Sequence, residues 1–407
     1  MKKLLYPLLI IILLSYTPLF SQGKVYEGPD DPAGDIAAER EGYMTGNRIF
    51  LYFRNTTELS DWPKVEVSKW PNTYDGVKML DGIGLLIGAR VYIKNDTIPV
   101  TNPAEIVTLN AQGRIDTLFY LQTSYREEMD KDPTGTVEWG LYPVFGYFNE
   151  TSEYPAMSNH VGSWPLGGWP DAPDFVDAEG KTEWNGRFGR GVIYADLETY
   201  FVANDAQDLE NMGPEDRVRY YPRPGRHIGD FRTSTIQNGS PWGGIGIRVE
   251  LRGFQWNNPQ ARDAIFWEYT IANISDYDLL DVAFGYWVDN AIGNDGTDEL
   301  GYFDTKTDMA YSWDVDALGA GGLATGIMGF AYLESPGLGY DGVDNDEDGL
   351  LDEKRDNLAG SLIGPTDGIT DVAKFLDFYG IPESDLREHW DADEDQDWDD
   401  GEDLNGD

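Results

Sequence analysis

The sequence predicts an all-β protein of antiparallel β-sandwiches, one or two in number, with long aromatic-rich loops. An acidic calcium-loop region with one or two short helices is expected to follow at the C-terminal end. Three observations predict this. The 407 residues carry 13 Trp, 24 Tyr and 17 Phe beside 47 Gly and 22 Pro, a mixture that suits many short strands joined by turns. From Ile245 to Trp256 the chain alternates, with Ile247, Val249 and Leu251 on one face and Arg248, Glu250 and Arg252 on the other, the period of a half-buried strand. Helical periodicity is convincing once, late in the chain. There Val372, Phe375, Leu376 and Tyr379 follow a capping Thr370, and Gly380 and Pro382 end the run.

Met1 to Ser21 reads as a secretory signal peptide. Lys2 and Lys3 precede an almost wholly apolar run from Leu4 to Leu14, and cleavage is expected near Ser21–Gln22. The run is shorter than the roughly 20 residues a spanning helix needs. No later segment is apolar enough to span, so the mature protein is expected outside the cytoplasm, secreted or at the cell surface.

Residues 22–45 read as a polar lead-in without a core, and folded sequence is expected from about Gly46. A β-rich domain is expected over 46–190 and a β-sandwich domain over 191–335. In the first, Ile49–Phe53, Gly84–Ile93 and Ile115–Gln122 are strand candidates, and Thr97–Val100 returns as a hairpin partner. Trp62-Pro63 and Trp70-Pro71 belong at edges or turns, because proline cannot donate to a ladder. In the second, Gly191–Ala203, Ile245–Trp256 and Ile265–Asn273 are β-prone. Leu280–Val288 is read as the return strand after a turn at residues 275–278, and Gly301–Asp304, Met309–Trp313 and Gly326–Leu333 complete the β-rich part. Residues 336–407 form the acidic region, with a second short helix over Glu383–His389. The chain stops on Leu404-Asn-Gly-Asp407, which looks like the start of another acidic loop, so it is expected to be the N-terminal part of a longer polypeptide.

The formal net charge of −43 repels nucleic acid and anionic membranes and attracts divalent cations. The absence of cysteine excludes disulfides and thiolate metal sites. His160, His227 and His389 are far apart and match no zinc spacing.

The pattern with the most chemistry is Tyr340–Glu353, Y-D-G-V-D-N-D-E-D-G-L-L-D-E. Asp344, Asp346 and Asp348 alternate and Gly349 allows the turn. Calcium takes six to eight oxygens from such a loop. Arg355 stands where an EF-hand needs its glutamate, so the match is the shorter D-x-D-x-D-G-x-x-D-E loop. Asp344, Asp346, Asp348 and Asp352 would ligate through side chains and Leu350 through its carbonyl, with Asp341 or Glu353 completing the shell. The competing reading is a solvated acidic run. A weaker metal loop is read at Asp289, Asn290, Asn294, Asp295, Asp298 and Glu299, against a plain solvated hairpin.

Residues 134–190 are dense in Trp, Gly and Pro. Trp164, Trp169 and Trp184 there could form a sugar-stacking surface, or could pack beneath the loops as satellite cores. No nucleophile elbow, zincin or phosphate-loop pattern is present. Acids are too abundant for any carboxylate pair to signal glycoside hydrolysis.

The stretch Phe266–Asp289, F-W-E-Y-T-I-A-N-I-S…L-L-D-V-A-F-G-Y-W-V-D, resembles large secreted bacterial proteins of the type IX secretion class. The blocks Tyr142–Phe148, Ser163-Trp-Pro165 with Gly168-Trp-Pro170, Trp184–Gly191 with Ala195–Tyr200, and Gly342–Gly349 are similar to that group too. The resemblance implies location and architecture, not a reaction. The sequence therefore points to an exported, non-enzymatic structural or adhesive surface protein whose calcium loop rigidifies a junction. Its expected partners are calcium and polysaccharide or other surface proteins. The alternative is a carbohydrate-binding module or a polysaccharide-active hydrolase.

Overall fold

The computed structural model describes residues 31–60, 64, 66–94, 98–99, 115–123, 140–206, 219–220, 242–275, 277, 279–294, 298–304 and 309–331. It also describes position 222 and a few positions from 333 onward. The chain divides into two compact units, one of Tyr26–Tyr302 with Tyr311–Gly329, the other of the remaining segments. The expected signal peptide and most of the expected late helix lie outside the described residues.

The strands run in order as β1 (Glu41–Met44), β2 (Phe50–Arg54), β3 (Ser68–Lys69), β4 (Leu80–Lys94), β5 (Ile98–Pro99) and β6 (Ile115–Thr123). There follow β7 (Tyr142–Pro143), β8 (Ala156–Met157), β9 (Asn185–Gly186), β10 (Gly189–Arg190), β11 (Leu197–Asn204), β12 (Arg219–Tyr220) and β13 (Trp242–Gly243). Then come β14 (Ile247–Gln255), β15 (Phe266–Asn273), β16 (Leu280–Asn290), β17 (Glu299–Asp304) and β18 (Met309–Asp314), of which residues 303–310 belong to the smaller unit. The fold is all-β, and the pairings described below are antiparallel.

Two sheets organise the large unit. One has the order β15-β14-β11-β7 with β8 also on β11, and the other the order β16-β4-β5 with β6 also on β4. Each sheet draws strands from both stretches that the sequence suggested as separate domains. The expected return of β16 onto β15 does not occur: β16 pairs with β4, from Leu280 opposite Arg90 to Asn290 opposite Leu80. The turn residues alone could not reveal this, because a strand leaving a turn can join either sheet. Tyr286 on β16 still reaches back, and its hydroxyl donates to Tyr269 of β15 at 2.7 Å.

Strand β11 is buried along its whole length. On one face, Phe201 stacks on Phe53 of β2 with ring centroids 6.0 Å apart and planes at 13°. Trp267 of β15 meets Phe53 edge-on at 5.9 Å. Such pairs contribute about 1 kcal/mol beyond their burial. The Phe53 ring lies over its cross-strand partner Gly42, where a Cβ would collide with it, so only glycine fits. On the other face, Tyr200 and Val202 join Val144, Tyr147, Ala156, Trp169, Ala172 and Trp184 in a second core.

The fold begins well before Gly46. Asp35 N–H donates to Pro143 O at 3.0 Å and Gly34 N–H to Asn204 Oδ1 at 2.6 Å, while Ala38 is fully buried. The segment read as a coreless lead-in is therefore part of the framework from Asp31 onward. Its polarity misled because its polar groups are bonded inside.

Candidate functional site

Register determines which face of β14 meets which core. Leu251 lies opposite Phe201, so the apolar residues of β14 share the Phe53 side. Arg252 lies opposite Tyr200, Glu250 opposite Val202 and Arg248 opposite Asn204. The charged face thus points at the tryptophan-rich segment 141–190 rather than at water. Arg248 is only 3% exposed.

A charged network fills this layer. Arg248 pairs through Nε with Asp31, through Nη1 with Glu250 at 2.8 Å, and donates from Nη2 to Tyr147 Oη at 3.1 Å. Tyr147 Oη donates to Asp31 Oδ1 at 2.9 Å. Arg252 places its guanidinium 3.9 Å from the Tyr200 ring centroid and donates to Asn185 O at 2.6 Å.

Tyr200 links two carboxylates. Its Oη lies 2.9 Å from Asp171 Oδ2 and 3.0 Å from Glu250 Oε1. Asp171 is exposed as a residue, but its carboxylate turns inward to Tyr200 and to Asn185 Nδ2, 2.9 Å away. Desolvation and then the charge of Glu250 raise the pKa of Asp171. For Glu250 desolvation also pushes upward, but Arg248 and Arg252 outweigh it and hold the pKa below the ordinary value. The Tyr200 hydroxyl has one proton for two carboxylate oxygens, and of the two acids Asp171 has the raised pKa and Glu250 the lowered one. For Asp31, desolvation outweighs Arg248 and raises the pKa.

The tryptophans build this layer and do not display it. Trp169 and Trp184 are each 1% exposed, meet edge-on at 85°, and donate from Nε1 to Glu183 O and Glu198 Oε2, both at 2.7 Å. Trp164 is half-buried, tilted 45° to Trp184, and donates to Met157 O at 2.8 Å. A sugar needs open, roughly coplanar faces, and Trp169 and Trp184 offer none. The satellite-core reading of these loops is the one the packing follows.

The main calcium-loop residues Asp341, Asp344, Asp346, Asp348, Leu350, Asp352 and Glu353 lie outside the described residues, as does Asp295 of the weaker loop. The described residues of that weaker loop have the following partners. Asn290 donates to Ser312 Oγ at 2.9 Å, and Asp289 stands near Lys78, whose ammonium it helps to keep charged against desolvation. Asp298 instead meets Asp314 and Asp316, with one oxygen of each within 4.8 Å of the others. The D-V-D spacing at 314–316 was legible as alternation, but its third partner, sixteen positions upstream, was not. Sequence reading also missed Asp31, Tyr147 and Asp171, which carry no local signal.

Compared with known protein families, curated proteins and solved structures, the chain matches none of them.

Proposed function

We propose that this chain is an exported, non-enzymatic framework protein of a cell surface or extracellular matrix, stiffened by calcium near its C-terminal end. One observation carries the reading. The segment that most resembles a binding face, the tryptophan-rich loops over β14, is consumed in closing the fold on Arg248, Asp31 and Glu250. The leader-like N-terminus supports export, the charge of −43 supports cation dependence, and an exported chain without cysteine needs a stabiliser other than disulfides, which bound calcium would supply. The acidic loop at 341–353 supplies the junction to be stiffened, and an adhesive role toward polysaccharide or neighbouring surface proteins fits the same location. The test is cell fractionation with N-terminal sequencing. Recovery outside the cytoplasm with a new terminus near Gln22 is expected, and cytoplasmic retention with Met1 in place would refute the reading.

A second reading, a polysaccharide-active hydrolase, rests on Asp171 and Glu250. Their shared contact with Tyr200 keeps the two oxygens no farther apart than about 6 Å, a ceiling that admits the roughly 5–5.5 Å spacing of a retaining pair and not the wider spacing of an inverting one. Release of reducing sugar from a polysaccharide panel, abolished by both Asp171→Asn and Glu250→Gln, would favour it.

A further inference from the structure

Strand β18 buries the wrong side chains for an ordinary strand. Tyr311 and Trp313 are only half-buried, while Ser312 and Asp314, two apart and on one face, are 8% and 3% exposed. Asp314 Oδ1 accepts from Leu318 N–H at 3.2 Å, but its Oδ2 is fully buried with no hydrogen-bond partner. No Lys, Arg or His among the described residues forms an ion pair with Asp314 or Asp316. A buried carboxylate oxygen is ordinarily hydrogen-bonded, paired with a cation or bound to a metal.

What faces Asp314 is more negative charge. One oxygen from each of Asp298, Asp314 and Asp316 lies within 4.8 Å of the other two. Three carboxylates at that spacing repel one another unless positive charge sits among them. A calcium–oxygen bond is about 2.4 Å, so two oxygens on one ion lie up to about 4.8 Å apart. The set can therefore close on a single ion.

The backbone holds the three in place. Leu318 N–H is shared between Asp314 Oδ1 and Asp316 Oδ1, the latter at 2.9 Å. Val315 N–H donates to Asp298 O at 3.2 Å, tying the start of β17 to the end of β18. Ala317 turns the chain at φ 59°, which brings Leu318 back beneath both carboxylates.

We propose that Asp298, Asp314 and Asp316 form a divalent-cation site for calcium, separate from the acidic loop at 341–353. The donors are all hard oxygens, which disfavours zinc, with its preference for nitrogen and sulfur. Magnesium is usually held by one or two carboxylates and keeps its waters, so three protein carboxylates favour the larger ion. Bound calcium would satisfy Asp314 Oδ2 and join the ends of two strands.

The site stands apart from the C-terminal loop reading, and the test separates them. Calcium is titrated calorimetrically into the full chain and into an Asp344→Asn, Asp346→Asn, Asp348→Asn variant that lacks the C-terminal loop's ligands. The variant is expected to retain one calcium site. Adding Asp316→Asn, at an exposed position, should weaken that site at least about tenfold while leaving the calcium-free melting temperature unchanged. Adding Asp314→Asn should remove the site and the rise in melting temperature on adding calcium. Loss of all binding in the triple variant would overturn this site and leave the C-terminal loop standing. Binding in the triple variant that neither Asp316→Asn nor Asp314→Asn alters would overturn it as well. Calcium uptake identical in wild type and triple variant, and sensitive to Asp316→Asn, would support this site and count against the C-terminal loop.

Discussion

Arg248 and Asp31 lie 217 positions apart and pair with only 4% of either side chain exposed. A buried pair is weak evidence of net stabilisation, because desolvating both charges costs about as much as their attraction returns. Breaking it from one side is different. Asp31→Ala leaves Arg248 with Glu250 and Tyr147 but short of one full counter-charge. Chemical denaturation should show a loss of about 3 kcal/mol. An unchanged denaturation midpoint would mean that the N-terminal segment is not part of the folded core.

Asp205 supplies a pH signature. It is fully buried, accepts from Tyr220 Oη at 2.7 Å, from Gly246 N–H at 2.9 Å and from Ile247 N–H at 3.1 Å, and burial pushes its pKa up to about 7. In the unfolded chain it titrates near 4. Between those values the native state holds a proton that the unfolded state has lost, so stability is fully present below about pH 4 and falls as pH rises to about 7. Asp205→Asn keeps an acceptor for the two amides and cannot titrate. The wild type should lose on the order of 3 kcal/mol relative to this variant from pH 4 to pH 7. Parallel stability curves across that window would contradict the assignment.

Trp184 separates packing from recognition. Trp184→Ala should cost about 3–5 kcal/mol through the cavity it leaves. Trp184→Phe should cost about 2 kcal/mol, because Glu198, only 1% exposed, loses the donor 2.7 Å from its Oε2. Glycan-array binding by the Phe variant should match that of the wild type. A selective loss of glycan binding at unchanged stability would restore the stacking role.

Local pattern was enough for the long strands, though not for β1 or the two-residue strands within the tryptophan-rich segment. The ten apolar-rich residues Gly84–Ile93 fall inside β4, and the alternation of 245–256 falls on β14. Pairing was harder, since β16 carries nothing that says it will join β4 rather than β15. The charged face of β14 shows why burial was misjudged. Arg248, Glu250 and Arg252 read as solvent-facing by period, yet a loop layer more than sixty positions upstream covers them. Asp31 was hidden for the same reason: its partner lies on a distant strand. The cation cluster was half legible, as Asp314 and Asp316 stand two apart while Asp298 arrives only through the pairing of β17 with β18.

Whether calcium stiffens this acidic β framework is decided by thermal unfolding and limited proteolysis of the intact chain, in millimolar calcium and again in excess chelator. A higher melting temperature with calcium is expected, growing with calcium concentration as ligand linkage requires, with faster cutting near residue 345 once the ion is withdrawn. Superimposable melts and identical digestion patterns in the two conditions would contradict it.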